Sequence, residues 1–110
     1  MMRDTLERIE ERVRQAEAIP APQRTELLDL LASLKAEVAD LSRTHGEQAQ
    51  SIATFTAASA HEATRDQKNP ELMDLSLRGL SQSVHGFEDS HPKLVQLVNS
   101  ISTTLSNLGI

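Results

Sequence analysis

Residues 87–110, FEDSHPKLVQLVNSISTTLSNLGI, are the stretch that decides the fold of this chain. The His91-Pro92 step, which would interrupt a regular helix, sits inside an apolar rhythm that keeps its phase. This rhythm alternates steps of three and four residues from Leu77 onward, through Leu80, Val84, Phe87, His91, Leu94, Val98, Ile101, Leu105 and Leu108. Heptad spacing of this kind is typical of a helix that keeps one face against a partner. It predicts an α-helical architecture and no particular activity.

The composition is also that of a helical protein. Only 38% of the 110 residues are hydrophobic, and two Phe are the only aromatic residues. Strands draw on aromatic and β-branched residues, so this composition favours helices. Narrow apolar stripes on long helices need fewer apolar residues than the thick core of a compact globule does. We therefore expect an all-α protein: an elongated hairpin or bundle of three to five helices with heptad-like stripes that self-associates.

Breaks in the pattern divide residues 1–110, which we treat as a single helical domain, into five helices. Asp4, with Glu7 three residues later, resembles a capping box at the start of the first helix. Two prolines in Ile19-Pro-Ala-Pro22 mark the turn after it. Asn69-Pro70 is a preferred helix start, with an N-cap followed by a first-turn proline. The predicted helices run over 5–18, 23–44, 47–66, 70–89 and 92–108.

Two alternatives stay open at the His91-Pro92 step. A new helix can start at Pro92, capped by Ser90 or His91, or one helix can continue across the step through a proline kink. The kept phase of the stripe favours nearly collinear helices over a full reversal of direction.

The second helix carries the clearest apolar stripe, and we expect its members to be core or interface residues: Leu27, Leu31, Leu34, Val38 and Leu41. The Ala-, Ser- and Thr-rich stretch 46–68 is the least stable segment predicted. Glu10 and Arg12 lie among the charged residues of the first helix. Truncating either to Ala should change stability by at most about 0.5 kcal/mol, as surface substitutions do.

Charge and composition exclude several classes of function. The net charge is −5 with no basic arm, which argues against nucleic-acid binding, since phosphates call for clustered Lys and Arg. The longest uncharged run, 94–110, is too polar and too short to span a bilayer, so no membrane partner is expected. The absence of Cys is compatible with a reducing compartment, and we expect a cytoplasmic protein.

The candidate chemistry is limited to one weak metal motif. Glu88-Asp-Ser-His91 matches the E-x-x-H pair of di-iron helical bundles, which need two such pairs and two further Glu. This chain has one pair, so only a homodimer would supply a second. The alternative is that Ser90 and His91 cap the last helix. No catalytic triad, phosphate loop or zinc spacing is present in the sequence, and we expect neither enzymatic activity nor a cofactor.

The tail Phe87-Glu88-x-x-His91-Pro92-x-Leu94, closing as Leu105-Ser106-x-Leu108-Gly109-Ile110, resembles a bacterial domain-of-unknown-function family. Its members are short, acidic helical proteins that end in F-E-x-x-H-P-x-L…L-S-x-(L/M)-G-I. The resemblance implies a helical fold in a bacterial cytoplasmic protein and implies no activity. The function expected is therefore a non-enzymatic oligomerisation or protein-interaction module, with a homodimer favoured. The alternative is a metal-binding bundle that uses Glu88 and His91 across that dimer.

Overall fold

Five α-helices make up most of residues 2–109, the range that the computed structural model describes. They are α1 (Met2–Gln15), α2 (Ala21–Leu41), α3 (Gly46–Thr64), α4 (Pro70–Ser83) and α5 (Pro92–Gly109). This range contains no β-strand. The all-α class predicted from the sequence is confirmed, while Met1 and Ile110 lie outside the described residues.

The bundle is compact, so the elongated shape expected from the sequence is wrong. The Cα radius of gyration is 12.9 Å, and the molecule measures 37 × 25 × 22 Å along its principal axes. A globular chain of this length has a radius of gyration of about 13 Å. The physical reason lies in α3, which packs against all four other helices. Its buried face consists of small residues that let those helices approach closely, namely Ala49, Ala53, Ser59, Ala60 and Ala63 beside Ile52 and Thr56.

The helix boundaries differ from the predicted ones at several ends. Asp4 lies within the first turn of α1 rather than before it. Pro20 is the N-cap residue of α2, with Pro22 in its first turn, because proline needs no N–H partner there. The start of α4 is confirmed, since the side-chain oxygen of Asn69 accepts a hydrogen bond from Leu72 N at 3.1 Å.

The helix predicted over 70–89 ends six residues early, and the chain turns before α5. Gly86 adopts φ +97°, a left-handed conformation that side chains disfavour, and so redirects the backbone. Collinear helices of 14 and 18 residues would span about 48 Å at about 1.5 Å per residue. That exceeds the longest dimension of 37 Å, so the expected collinear arrangement is wrong. A new helix begins at Pro92, and no kinked helix continues across the step.

The α2 stripe packs against the α5 part of the tail stripe inside one chain, and the α4 part packs against α3 and α5. Leu77, Phe87 and Leu108 are half-buried and pack against the core. The other predicted core or interface residues are buried within the monomer, namely Leu27, Leu31, Leu34, Val38, Leu41, Leu80, Val84, Leu94, Val98, Ile101 and Leu105. The stripe that motivated self-association is thus already covered by the chain's own helices. Self-association would therefore need a surface other than this stripe.

Glu10 is buried, which contradicts its assignment to the surface. It is 6% exposed, and its Oε1 lies 2.8 Å from the Nζ of Lys35 on α2. Arg12 is exposed, yet its Nε donates to Thr64 Oγ1 on α3 at 2.7 Å. Both contacts join α1 to helices far along the chain. The spacing of apolar residues in α1 could not predict these two contacts, because the contacts depend on which helices lie beside α1.

Candidate functional site

The predicted metal-ligand pair, Glu88 and His91, lies in the turn between α4 and α5 and not on one helical face. The carboxylate of Glu88 is engaged locally: its Oε2 accepts from Gly86 N at 2.6 Å, and its Oε1 lies 3.5 Å from Nδ1 of His85. The pKa of Glu88 is lowered from its usual value, first because its own backbone N–H donates to it, with Gly86 N–H and His85 adding to this. The geometry of a helical E-x-x-H site is therefore not formed.

His91 belongs instead to a cluster of three rings at one end of the bundle. Phe87 lies between His45 and His91, with ring centroids 5.5 Å and 5.4 Å away and edge-to-face geometry in both cases. The His45 and His91 centroids are 6.3 Å apart. Edge-to-face pairs of this kind are favourable beyond the area that they bury. The F-E-x-x-H-P segment thus packs the α4–α5 turn onto the α2–α3 loop.

The sequence does not indicate that His45 contacts the F-E-x-x-H-P segment. Forty-two residues separate His45 from Phe87, and nothing local in the sequence relates them. Nδ1 of His45 lies 2.8 Å from Thr44 Oγ1, and Nδ1 of His91 lies 3.0 Å from Ser90 Oγ. Across residues 2–109, no three His, Cys, Asp or Glu side chains are arranged to hold a metal ion. The arrangement is that of a packing contact between two loops.

A different surface, on α3 and α4, exposes large apolar side chains. Phe55 is 38% exposed, Leu72 41% and Leu75 55%, and these are the exposed large hydrophobic residues within the described part of the chain. Leu72, Leu75 and Gly79 share one face of α4 because they are three and then four residues apart. The ring of Phe55 lies against Gly79, where a Cβ atom would come within 2.3 Å of Phe55 Cε1. We call Phe55, Leu72, Leu75 and Gly79 the α4 patch.

The sequence of α4 carries one signal for this patch. Helix α4 carries more apolar residues than a single buried face can hold, and the face it buries is that of Met73, Ser76 and Leu80. Leu72 and Leu75 fall outside that face. The sequence alone could not say which set would be covered, since that depends on where α3 and α5 lie.

Charged residues flank the α4 patch along one edge of the helix. Glu71 and Arg78 are both exposed and lie seven residues, or two turns, apart. Nη2 of Arg78 is 2.8 Å from Oδ2 of Asp74, an exposed pair within the helix. The edge is thus acidic toward the start of α4 and basic toward its end.

Comparisons with known proteins bear on the resemblance noted in the sequence. None of the helices in residues 2–109 combines the length and apolar character needed to cross a membrane. Searches among curated proteins and among solved structures find no match. A family model does match, over residues 27–110, a range that runs from within α2 to the end of the chain and leaves out α1. This range is more than half of the chain, and the protein therefore belongs to the family described as a domain of unknown function (DUF4404).

Proposed function

We propose that this protein is a non-enzymatic helical interaction module that forms a homodimer through the α4 patch. The observation that carries the proposal is the joint exposure of Phe55, Leu72 and Leu75 on one side of the bundle. Leu80, Val98 and the other core residues are shielded by the chain itself, whereas these three side chains are not. Contiguous exposed apolar patches on small proteins mark interaction sites more often than isolated exposed side chains do.

The shape of the patch suits a second helix. Because Gly79 has no side chain, the surface beyond Leu75 is formed by the edge of the Phe55 ring instead of a protruding group. Leu72, Leu75 and the exposed part of the Phe55 ring supply apolar area for a second helix to bury.

The charges along α4 favour a second copy as the occupant. In a two-fold symmetric dimer each contact occurs twice, with the roles of the two copies exchanged. If two α4 helices pair antiparallel with the axis near Leu75, Glu71 of each copy faces Arg78 of the other. A parallel pair would place these residues on opposite edges, where they could not meet. In the antiparallel arrangement Glu71 and Arg78 are thus complementary across the interface, and Asp74, near the axis, is paired with Arg78 of its own helix.

The cellular setting is part of the same proposal. We propose a bacterial cytoplasmic location, supported by the absence of Cys, which suits a reducing compartment, and by the resemblance of residues 87–110 to short bacterial helical proteins.

Sedimentation velocity of the full chain tests the dimer. Protein at about 10 µM to about 500 µM covers the range in which small interfaces associate. We expect a monomer–dimer equilibrium for the wild type and a monomer throughout for Leu75→Glu. Since Leu75 is 55% exposed, its substitution should leave the helical circular dichroism and the melting midpoint nearly unchanged.

Two controls separate the patch from a general effect of charge. Ser81→Glu adds the same charge on an exposed part of α4 away from the patch and should dimerise like the wild type. Arg78→Glu should weaken the dimer, and Glu71→Arg combined with Arg78→Glu should restore it. A wild type that stays monomeric, or a Leu75→Glu variant that dimerises equally well, would refute the proposal.

A further inference from the structure

A groove of about 570 Å³ runs between α1 and α3, on a different side of α3 from the α4 patch. Its apolar lining includes Ala57, which is half-buried, and Ala60 and Ile9, which are 2% and 5% exposed. Ala57 is two residues from Phe55, which places it about 200° around the helix. The volume of the groove lies within the range of small-molecule sites.

Two arginines one turn apart line this groove with uncommitted terminal nitrogens. Arg8 uses its Nε to donate to the Asp4 carbonyl at 3.4 Å, and Arg12 uses its Nε to donate to Thr64 Oγ1 at 2.7 Å. No carboxylate within residues 2–109 lies at ion-pair distance from either guanidinium. In contrast, five of the other six arginines have such a partner, namely Arg3, Arg14, Arg43, Arg65 and Arg78, while Arg24 donates to the carbonyls of Ala16 and Ile19.

Arg12 is held in place by a chain of hydrogen bonds. Thr64 Oγ1, which accepts from Arg12 Nε, donates in turn to the Ala60 carbonyl at 2.7 Å. This links the guanidinium to the backbone of α3 and leaves Nη1 and Nη2 to meet a ligand. A positioned guanidinium loses less conformational freedom on binding than a freely rotating one.

The one acidic residue in the groove lining is already neutralised. Glu11 accepts from Arg14 Nη1 at 3.2 Å and from Gln15 Nε2 at 2.9 Å. His61 also lines the groove, and its Nε2 lies 3.9 Å from Glu62 Oε2. Arg8 and Arg12 are therefore the cationic residues of this lining that have no ion-pair partner within the described residues, and Arg8 also adjoins Asp4, Glu7 and Glu11 on the outer side of α1.

We propose that the groove between α1 and α3 binds a small amphipathic carboxylic acid. Its carboxylate pairs with the terminal nitrogens of Arg8 and Arg12, and its apolar chain lies along Ile9, Ala57 and Ala60. Planar guanidinium groups match a carboxylate in geometry and charge, and the pairing gives strong charge-assisted hydrogen bonds. The proposal is independent of the dimer, because none of its residues belongs to the α4 patch.

Titration of the ¹⁵N-labelled full chain with decanoate, below its micelle-forming concentration, tests this by amide chemical shifts. We expect saturable shifts in residues 5–15 of α1 and 57–64 of α3. The double variant Arg8→Gln/Arg12→Gln should bind about tenfold more weakly or worse, the scale expected for losing charge-assisted hydrogen bonds. Arg3→Gln, which removes one positive charge from α1 outside the groove, should bind like the wild type.

The uncharged 1-decanol serves as a ligand control and should produce markedly smaller shifts in the groove at the same concentration. Three results would overturn the proposal: no saturable shifts with decanoate, shifts centred on Leu72 and Leu75, or equal affinity in the double variant and Arg3→Gln. The α4 dimer is measured separately by Leu75→Glu, so failure of one proposal leaves the other standing.

Discussion

Replacing Lys35 with Met probes the buried ion pair that joins α1 to α2. The Nζ of Lys35 lies 2.8 Å from Oε1 of Glu10, and the side chains are 26% and 8% exposed. Methionine keeps most of the aliphatic length of lysine while removing the charge. Lys35→Met therefore leaves the carboxylate of Glu10 in a largely dry position without its cation, and little else changes.

The expected loss lies between two limits. Breaking a fully buried pair by removing one partner costs about 3–5 kcal/mol, whereas exposed pairs contribute about 0–1 kcal/mol. Glu10 is nearly as buried as in the first case, but Lys35 keeps contact with solvent. We therefore expect the free energy of unfolding to fall by about 1.5–3 kcal/mol. A chain of 110 residues unfolds with an entropy of about 0.23 kcal/mol/K near its midpoint, so the melting temperature should fall by about 7–13 °C.

Urea and thermal unfolding followed by circular dichroism measure this loss. Arg14→Met is the matched control, because it removes a cation 3.2 Å from Glu11 in a pair whose side chains are 55% and 58% exposed. It should change stability by at most about 0.5 kcal/mol. The double variant Glu10→Met/Lys35→Met should recover much of the loss, since an apolar pair needs no counter-charge. The reasoning is refuted if Lys35→Met and Arg14→Met unfold alike, or if the double variant is as destabilised as Lys35→Met alone.

Two further predictions concern the α4–α5 connection, and both are read from unfolding midpoints. Pro92→Ala should be neutral or destabilising by up to about 1 kcal/mol, because proline at a first helical position is unstrained and restricts the unfolded chain; a clear gain in stability would indicate a kinked helix instead. Gly86→Ala should cost about 1–2 kcal/mol, because φ is +97° there although a Cβ would meet no atom within 4 Å. Gly46→Ala, at the start of α3 and equally uncrowded, should be neutral or slightly stabilising, so equal losses at the two glycines would contradict the turn geometry.

The helices themselves could be predicted because the signals for them are local. The stripe Leu27 to Leu41 and the Asn69-Pro70 start each depend on residues within a few turns of one another. The turn at Gly86 was missed for a related reason. The apolar residues of the tail keep their three- and four-residue spacing across Gly86. This spacing predicted nearly collinear helices, although Gly86 reverses the direction of the backbone.

The candidate site could be predicted only in part. The apolar spacing assigned Leu80, which is buried, to the tail stripe, but the sequence could not show that Leu75 would stay exposed. The association of His45 with the Phe87–His91 segment and the pairing of Arg12 with Thr64 join residues 42 or more positions apart. No pattern in a single sequence marks such contacts.

The sequence by itself determined that this chain is helical and which face of most helices is apolar, since hydrogen bonding and side-chain spacing within a helix involve near neighbours. Only the tertiary structure decided what covers each face. The stripe from Leu94 to Leu105 meets the Leu27–Leu41 stripe within the same chain, and Glu10 comes to lie beside Lys35. The packing of five helices is set by the sum of many weak contacts between distant residues and by the turns that permit them. The exposed α4 patch and the groove between α1 and α3 are consequences of that packing.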